Sequence, residues 1–247
     1  NLPPDSPISL TDALNDIQFS DIFILDEIQR MQDLFSEATG VASIITHPDG
    51  NPITQPSNFT RLCSNIIRKT EKGCSNCIQS DAIIGGQNLA GPTVQQCLSG
   101  ILWDAGVSIT VGGKHFANWL IGQVRDAEID EFRMIQYADE IGVNREEFRK
   151  ALSEVPGMSV GKLQKVAEML FVFAKDISEK AYRNFQLNSH FIELKKTTEQ
   201  LQESEGNYAD IFETVSEGIA HTTLLGKVLS INPVSYTHLA GDSQMTL

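Results

Sequence analysis

The first part of the chain shows the periodicity of a helix followed by a hairpin. Four apolar side chains at steps of four, three and four share one helical face: Ile24, Ile28, Met31 and Phe35. Gly40 follows them, where a left-handed cap would end the helix. The β-branched run 41–46 then leads into the turn sequence 47–52. We therefore predict a strand, an Asp-Gly turn and a second short strand.

The middle of the chain alternates helical and extended patterns. Residues 58–84 are predicted to be helical, with a break at 71–73. Three apolar runs separated by glycines are typical of consecutive antiparallel strands: 94–103, 107–111 and 116–124. Two short helices are predicted at 128–141 and 145–154. The block up to about residue 156 is thus expected to be α+β, with an antiparallel sheet of about five strands and flanking helices.

The C-terminal part has a different pattern, in which apolar residues alternate three and four apart. The first stretch runs from Leu163 to Ile177, and after two weak positions the alternation resumes from Leu187 to Phe212. Such a pattern is typical of a coiled-coil seam or of one long helix packed on its own domain. Up to Phe185 both interpretations stay open. Beyond Leu187 the flanking charges favour pairing between subunits, which predicts a homodimer through this helix.

Composition and charge narrow the possible functions. The 247 residues include 32 acidic and 19 basic side chains, giving a formal net charge of −13, and 41% are hydrophobic. This composition is globular, and the negative charge excludes a large nucleic-acid footprint. No apolar stretch approaches the roughly 20 residues of a membrane span. Without an export signal, and without an initiator Met, we expect part of a longer cytoplasmic protein.

Four cysteines form the first candidate site: Cys63, Cys74, Cys77 and Cys97. Cys74 and Cys77 are three residues apart and would share a helix face. Four thiolates could hold zinc or iron, but a structural metal site usually shows two tight pairs, and this chain has one. The alternative is that the cysteines are small hydrophobic side chains lining a core or a pocket. Spacing favours the second interpretation, and a redox role would require an exposed thiol of low pKa.

A second candidate lies where aromatic and polar residues alternate on the predicted strands. Trp103 beside Asp104 could supply an apolar wall and a hydrogen-bond acceptor for a small organic ligand, although these two residues alone favour an ordinary core Trp with a turn Asp. Asn118 and Trp119 follow on a later strand. No phosphate-binding glycine loop, G-x-S-x-G elbow or H-E-x-x-H motif occurs. The sequence therefore favours a receptor over an enzyme.

Several segments, in the same order along the chain, resemble one known family. They are 34–40, Cys63 with the helix after it, 77–81, 97–101 and 117–124. Over residues 21–156 they resemble the PocR sensory domain, a ligand-binding module of bacterial and archaeal signalling proteins. The resemblance implies a variant of the PAS fold that senses small hydrocarbon derivatives such as short diols.

The family pattern also bears on the cysteines. It has Cys at the positions of Cys63, Cys77 and Cys97, and often His directly after the third, where this chain has Leu98. The departure removes one potential metal ligand. Cys74 is not part of the shared pattern.

The remaining segments complete the predicted organisation. Residues 1–20 are a lead-in, and 157–206 form a helical or coiled-coil linker. Residues 207–233 resemble the opening of a second PAS domain, which implies further PAS sequence and a histidine kinase of a two-component system downstream. Residues 234–239 resemble translated sequencing-adapter sequence, so 234–247 are predicted to be a non-native or disordered tail.

Together these observations predict a sensory domain that binds a small organic ligand and needs no cofactor. The ligand would lie between the sheet and the helices that carry Cys63 and Cys77. Four residues would line the sheet side: Cys97, Trp103, Asp104 and Trp119. Asp104 or Asn118 would hydrogen-bond a ligand hydroxyl. Two alternatives stay open, namely a metal or redox sensor using the four cysteines and a purely structural dimerisation module.

Overall fold

The computed structural model describes residue 14, residues 16–126 and residues 130–235. The helices are α1 Phe19–Ile22, α2 Leu25–Thr39, α3 Glu71–Ile84, α4 Glu131–Glu140, α5 Arg145–Ser153 and α6 Val160–Thr214. The strands are β1 Ala42–Thr46, β2 Thr93–Gln96, β3 Trp103–Val111, β4 Lys114–Val124, β5 Ala220–Thr222 and β6 Val228–Ile231. A π-helical turn, Leu62–Ile66, and a 3₁₀ turn, Ile67–Lys69, precede α3. The chain divides into two compact units after residue 186.

The first unit contains a four-stranded antiparallel sheet in the order β1-β4-β3-β2. The α+β prediction is confirmed, with four strands where about five were expected. The predicted second hairpin strand makes only isolated bridges to β1, at Pro52 and Ser57. Proline lacks the N–H that a regular ladder requires. The run 94–103 is also only partly extended, because Gly100, at a φ of 67°, turns the chain between β2 and β3.

Both faces of the sheet are covered, and the pleat divides its side chains between two cores. Trp119 and Ile121 point to a core shared with α2 and α6, whereas Leu120 between them belongs to a cluster on the other face. All five residues of β1 are buried for the same reason. Successive residues of a strand point to opposite faces, so a strand covered on both sides is buried throughout.

Helix α2 is confirmed, but its buried face differs from the predicted one. Gly40 ends the helix with a φ of 72°, as expected for a left-handed cap. Ile24 and Met31 are exposed, whereas Gln32 is fully buried. The Gln32 side chain donates to the Ser57 hydroxyl at 2.5 Å and accepts from the Thr54 hydroxyl at 2.5 Å. A buried amide with these partners is satisfied, and hydrophobic periodicity does not reveal it.

The predicted helix 58–84 is interrupted earlier than its sequence suggests. The break expected at 71–73 is instead the start of α3, where the Thr70 hydroxyl caps the helix by accepting from the N–H of Gly73 at 3.0 Å. A side chain at Gly73 would meet the Ile67 carbonyl oxygen at 2.3 Å. The glycine thus permits a close approach between α3 and the turn before it, and does not break a helix.

Helix α6 packs on its own domain along its first part. Up to residue 186 its buried residues are spaced three or four apart and are mostly small: Leu163, Ala167, Leu170, Ala174, Ser178 and Ala181. Small side chains allow the helix to approach the sheet closely. From Leu187 onward the apolar residues are exposed, with Leu187 at 68% and Leu201 at 58%. Pairing of this exposed part with a second subunit stays a prediction.

In the second unit, β5 and β6 pair in an antiparallel manner. The assignment of this pair to a second PAS domain stays a prediction. Most of the predicted tail, residues 236–247, lies outside the described part of the chain. None of the helices in the described ranges is both long and apolar enough to serve as a membrane span.

Candidate functional site

A cavity lies between the sheet and the helical elements that cover its second face. Strands β1, β3 and β4 form one wall, and the π-helical turn, α3 and α4 form the other. The lining residues are Ala42, Ser43, Ile44, Phe59, Cys63, Ile67, Arg68, Asn76, Cys77, Ser80, Asp81, Cys97, Ser99, Leu102, Asp104, Leu120, Ile121, Gly122, Gln123 and Tyr137. The walls are mostly apolar, with a few charged and hydroxyl groups among them, as is typical of small-molecule sites.

The size of the cavity limits what could occupy it. The cavity has a volume of about 40 Å³. One water needs roughly 10–15 Å³ of such volume. The space therefore suits about three waters or a compact organic molecule of a few non-hydrogen atoms, and it does not suit a nucleotide or a large cofactor.

A β-bulge positions Asp104 in this cavity. Between the pairs Trp103–Val124 and Ala105–Ile121, one residue on β3 faces two residues, Gly122 and Gln123, on β4. Both bulge residues have positive φ, 147° and 56° respectively. The backbone N–H of Gln123 turns towards Asp104 and donates to its carboxylate at 2.6 Å. Bulges commonly re-aim side chains beside functional sites.

A buried ion pair lies on the helical wall. Arg68 Nη2 donates to Asp81 Oδ2 at 2.7 Å, and the two side chains are only 19% and 13% exposed. The guanidinium also lies over the Phe59 ring, 5.3 Å from its centroid. Burial raises the pKa of Asp81 to about 6, and the charge of Arg68 and its hydrogen bond oppose that rise.

Asp104 has an environment of the same kind. Burial raises the pKa of its carboxyl, while the hydrogen bond from Gln123, a second from the Cys97 thiol and the charge of Arg68 act in the opposite direction. A carboxyl of this kind can exchange its proton when a ligand changes its surroundings.

Three of the four cysteines line the cavity: Cys63, Cys77 and Cys97. Burial raises the pKa of Cys63 and Cys97 well above the ordinary value, and it raises the pKa of Cys77 to about 12. The Cys97 sulfur lies 2.9 Å from the Ser99 hydroxyl. The neutral thiols are therefore apolar wall groups, and thiolate chemistry is disfavoured.

The cysteines do not assemble into a metal-binding arrangement. All four are free thiols, and Cys74 is not among the lining residues although it lies on α3 with Cys77. Within the ranges that the structure describes, no group of three or more His, Cys, Asp or Glu side chains is placed to hold a metal ion.

The structure corrects the predicted lining at three positions, because Trp103, Asn118 and Trp119 lie outside the cavity. Trp119 points to the opposite face of the sheet, where its indole N–H donates to the Ser43 hydroxyl at 3.0 Å. Trp103 packs against that same core. The Asn118 amide donates to the backbone carbonyl of His47 at 3.0 Å and so holds the turn after β1. Trp103 precedes Asp104 on β3 and Trp119 precedes Leu120 on β4, so their side chains point to the face opposite to these two lining residues.

Sequence reasoning missed the charged pair and the bulge. Asp81 lies in the segment 77–81 that carries the family resemblance, so it could have been identified as a candidate site residue from the sequence. Arg68 follows the buried residues Ile66 and Ile67, where a cation on a helix would ordinarily be solvent-exposed. Nothing in the sequence around Gly122 and Gln123 distinguishes a bulge from an ordinary glycine in a strand.

Comparisons with known proteins give the family. A family model described as the sensory domain found in PocR matches residues 21–182, which includes the first part of α6. The regulatory protein PocR of Salmonella typhimurium is 26% identical over 175 residues, covering 70% of this chain and 55% of that protein. The chain thus spans little more than half of its curated relative.

One solved structure is also similar, the crystal structure of the E. coli DhaR(N)–DhaL complex. It covers 87% of this chain and 66% of that chain at 10% identity, and its TM-score of 0.32 is too low to support an argument about the site. The family model matches well over half of the sequence. The chain therefore belongs to the PocR sensory domain family.

Proposed function

We propose that this domain binds a small, uncharged organic molecule, such as a short diol or another short hydrocarbon derivative, in the cavity beneath the sheet. The observation that carries the proposal is the cavity itself, with apolar walls and a few polar groups inside. A binding role also agrees with the membership of a sensory family. The domain would act as a receptor and not as a catalyst.

The lining explains why such a molecule would be retained. Ile44, Leu120 and the neutral thiols would contact the hydrocarbon part, and each buried methylene contributes about 0.8 kcal/mol. Asp104 and Arg68 would hydrogen-bond a hydroxyl, whose burial without a partner would be costly. Burial of the ligand's apolar part thus provides affinity, while the polar groups provide selection.

The sheet offers a route from the ligand to α6. The cavity lies on one face of β3 and β4, and α6 packs on the other. The hydroxyl of Ser178 on α6 accepts from the backbone N–H of Thr110 on β3 at 3.2 Å. If the protein binds the ligand more tightly when α6 packs on the sheet in one arrangement than in another, ligand binding shifts the populations of the two arrangements. The size of the shift is set by the difference between the two affinities.

Wider aspects of the function are proposals of the same kind. We propose a cytoplasmic protein that forms a homodimer through α6 beyond Leu187 and passes the signal to a PAS domain and a histidine kinase. The exposed apolar residues of α6 and the description of the relative as a regulatory protein support this arrangement.

A thermal-shift panel tests the binding proposal. We expect at least one short diol or alcohol to raise the melting temperature of the protein. Cys77→Leu would fill the cavity and abolish the rise. Cys74→Leu, on the same helix but outside the cavity, is the matched control and should retain it.

Two results would contradict the proposal. One is the absence of stabilisation by every compound, and the other is equal stabilisation of wild type and folded Cys77→Leu. Stoichiometric zinc or iron in freshly purified protein, lost in Cys97→Ala, would instead support the metal-sensing alternative.

A further inference from the structure

The Arg68 guanidinium has hydrogen-bonding capacity that the protein does not use. Its Nη2 donates to Asp81, but its Nε is buried and has no hydrogen-bond partner among the residues that the structure describes. Guanidinium carries five N–H donors and cannot accept. A buried donor without a partner costs about 1–3 kcal/mol, so an acceptor brought in by a ligand would be favoured here.

Asp104 provides the opposite group in the same cavity. Its carboxylate accepts from the N–H of Gln123, and an ionised carboxylate has about four acceptor positions. It lies close enough to Arg68 for the guanidinium charge to stabilise its ionised form. The thiols of Cys63, Cys77 and Cys97 complete the surroundings and are neutral.

We propose, on the basis of the proposed function, that Arg68 and Asp104 form a donor–acceptor pair that selects a ligand hydroxyl and rejects both carboxylate and ammonium. A hydroxyl can accept from Arg68 and donate to Asp104 with the same oxygen. A carboxylate only accepts, and it would be repelled by Asp104 and Asp81. An ammonium only donates, so it would leave the Arg68 Nε without an acceptor, and repulsion by the guanidinium would oppose its attraction to Asp104.

Three compounds with the same carbon skeleton test this selection: propane-1,2-diol, lactate and 1-amino-2-propanol. For the wild-type protein at neutral pH, calorimetric titration should give an affinity for the diol at least about tenfold above that for the acid or the amine. Transfer of a charged molecule into a buried cavity is unfavourable whatever the lining, so the wild-type preference for the diol is not sufficient evidence. The decisive measurement is how substitutions change the affinities for lactate and for the amine.

Substitution should change the preference in opposite directions. Asp104→Asn removes the anion beside Arg68 and should raise the affinity for lactate, relative to that for the diol, by about tenfold or more. The double variant Arg68→Met with Asp81→Asn removes both members of the ion pair. It should raise the affinity for the amine, relative to that for the diol, by a similar factor. Arg61 and Asp139 are not among the lining residues of the cavity, so Arg61→Gln and Asp139→Asn are controls that should leave the affinities for all three compounds unchanged.

The outcomes separate this inference from the proposed function. Equal binding of acid, amine and diol, all lost in Cys77→Leu, would overturn the selection but retain the binding site. Folded variants that keep the wild-type preference would also overturn it. If no compound binds, both proposals fail. Should either variant not fold, the change of preference in the remaining folded variant tests the selection.

Discussion

Two buried carboxyls share one cavity with a single guanidinium, and their surroundings differ. Asp81 forms an ion pair with Arg68 on the helical wall, whereas Asp104 is held by a backbone N–H on the sheet wall. Burial raises the pKa of both. Raised carboxyl pKa values in a cavity are typical of functional sites, because a fold alone gains little from burying charge.

The pKa of Asp81 predicts a pH dependence of stability. Its folded value is about 6, against an ordinary value of 3.8. The folded state therefore binds the proton more tightly, so this contribution to stability is present below about pH 4 and is lost as the pH rises through about 6. Relative to Asp81→Asn, the free energy of unfolding of the wild type should fall by up to about 3 kcal/mol between pH 4 and pH 7.

Denaturant titrations across this pH range measure the difference. Asp139→Asn is the control, because Arg145 lowers the pKa of the exposed Asp139 by hydrogen bonding. The wild type should show no such fall relative to this variant. A wild-type stability that rises relative to Asp81→Asn over the same range would show that Asp81 titrates below its ordinary pKa.

At the residue scale, the sequence predicted part of the site. Cys63, Cys77, Cys97 and Asp104 were candidates and line the cavity, and the family pattern had set the three cysteines apart from Cys74. Trp119 was placed on the wrong face because its neighbours are apolar as well. In a strand buried on both faces, the sequence carries no alternation that assigns a side chain to one face.

At the element scale, the bulge on β4 is the device that positions Asp104. Gly122 has a φ of 147°, and a Cβ there would lie 2.3 Å from Asp104 Oδ1 and 2.6 Å from its Cα. Backbone atoms cannot move aside as a flexible side chain does. Only glycine therefore fits this position of the bulge.

Gly122→Ala should destabilise the fold and abolish the response to ligand. Backbone strain alone costs about 1–3 kcal/mol, and the collision with β3 adds to it. Gly113→Ala is the matched control, since Gly113 also has a positive φ, 87°, but has no atom within 4 Å of the added Cβ. Thermal unfolding should show a clearly larger loss for Gly122→Ala, and equal losses would mean that the bulge does not require glycine.

The elements themselves were predicted better than their details. Helices α2, α4, α5 and α6 and strands β1 and β4 lie close to where hydrophobic periodicity placed them, whereas β2 ends at Gln96 and β3 already begins at Trp103. The π-helical turn at Leu62–Ile66 was missed, because its residues satisfy a helical pattern and only tertiary contacts determine how the turn is wound. The hydrogen bonds of Gln32 to Ser57 and Thr54 were also missed, because they too depend on tertiary contacts.

At the scale of the whole molecule, the apolar surface of α6 beyond Leu187 predicts self-association. Leu194 is 66% exposed and belongs to the row of residues spaced three and four apart that begins at Leu187. Ile192 is 61% exposed and does not belong to that row. We expect the full chain to be dimeric by light scattering, with Leu194→Asp shifting it towards monomer and Ile192→Asp leaving it dimeric. A monomeric wild type, or equal behaviour of the two variants, would contradict pairing along this row.

The central claim is that the cavity holds a small hydroxylated molecule between Arg68 and Asp104. The most direct measurement is a crystal structure of the protein with the diol that stabilises it most in solution. We predict density for the diol inside the cavity, with one oxygen within hydrogen-bonding distance of both side chains, and no such density in Cys77→Leu. A diol bound only outside the cavity, or a cavity still without it at saturating concentration, would contradict the account.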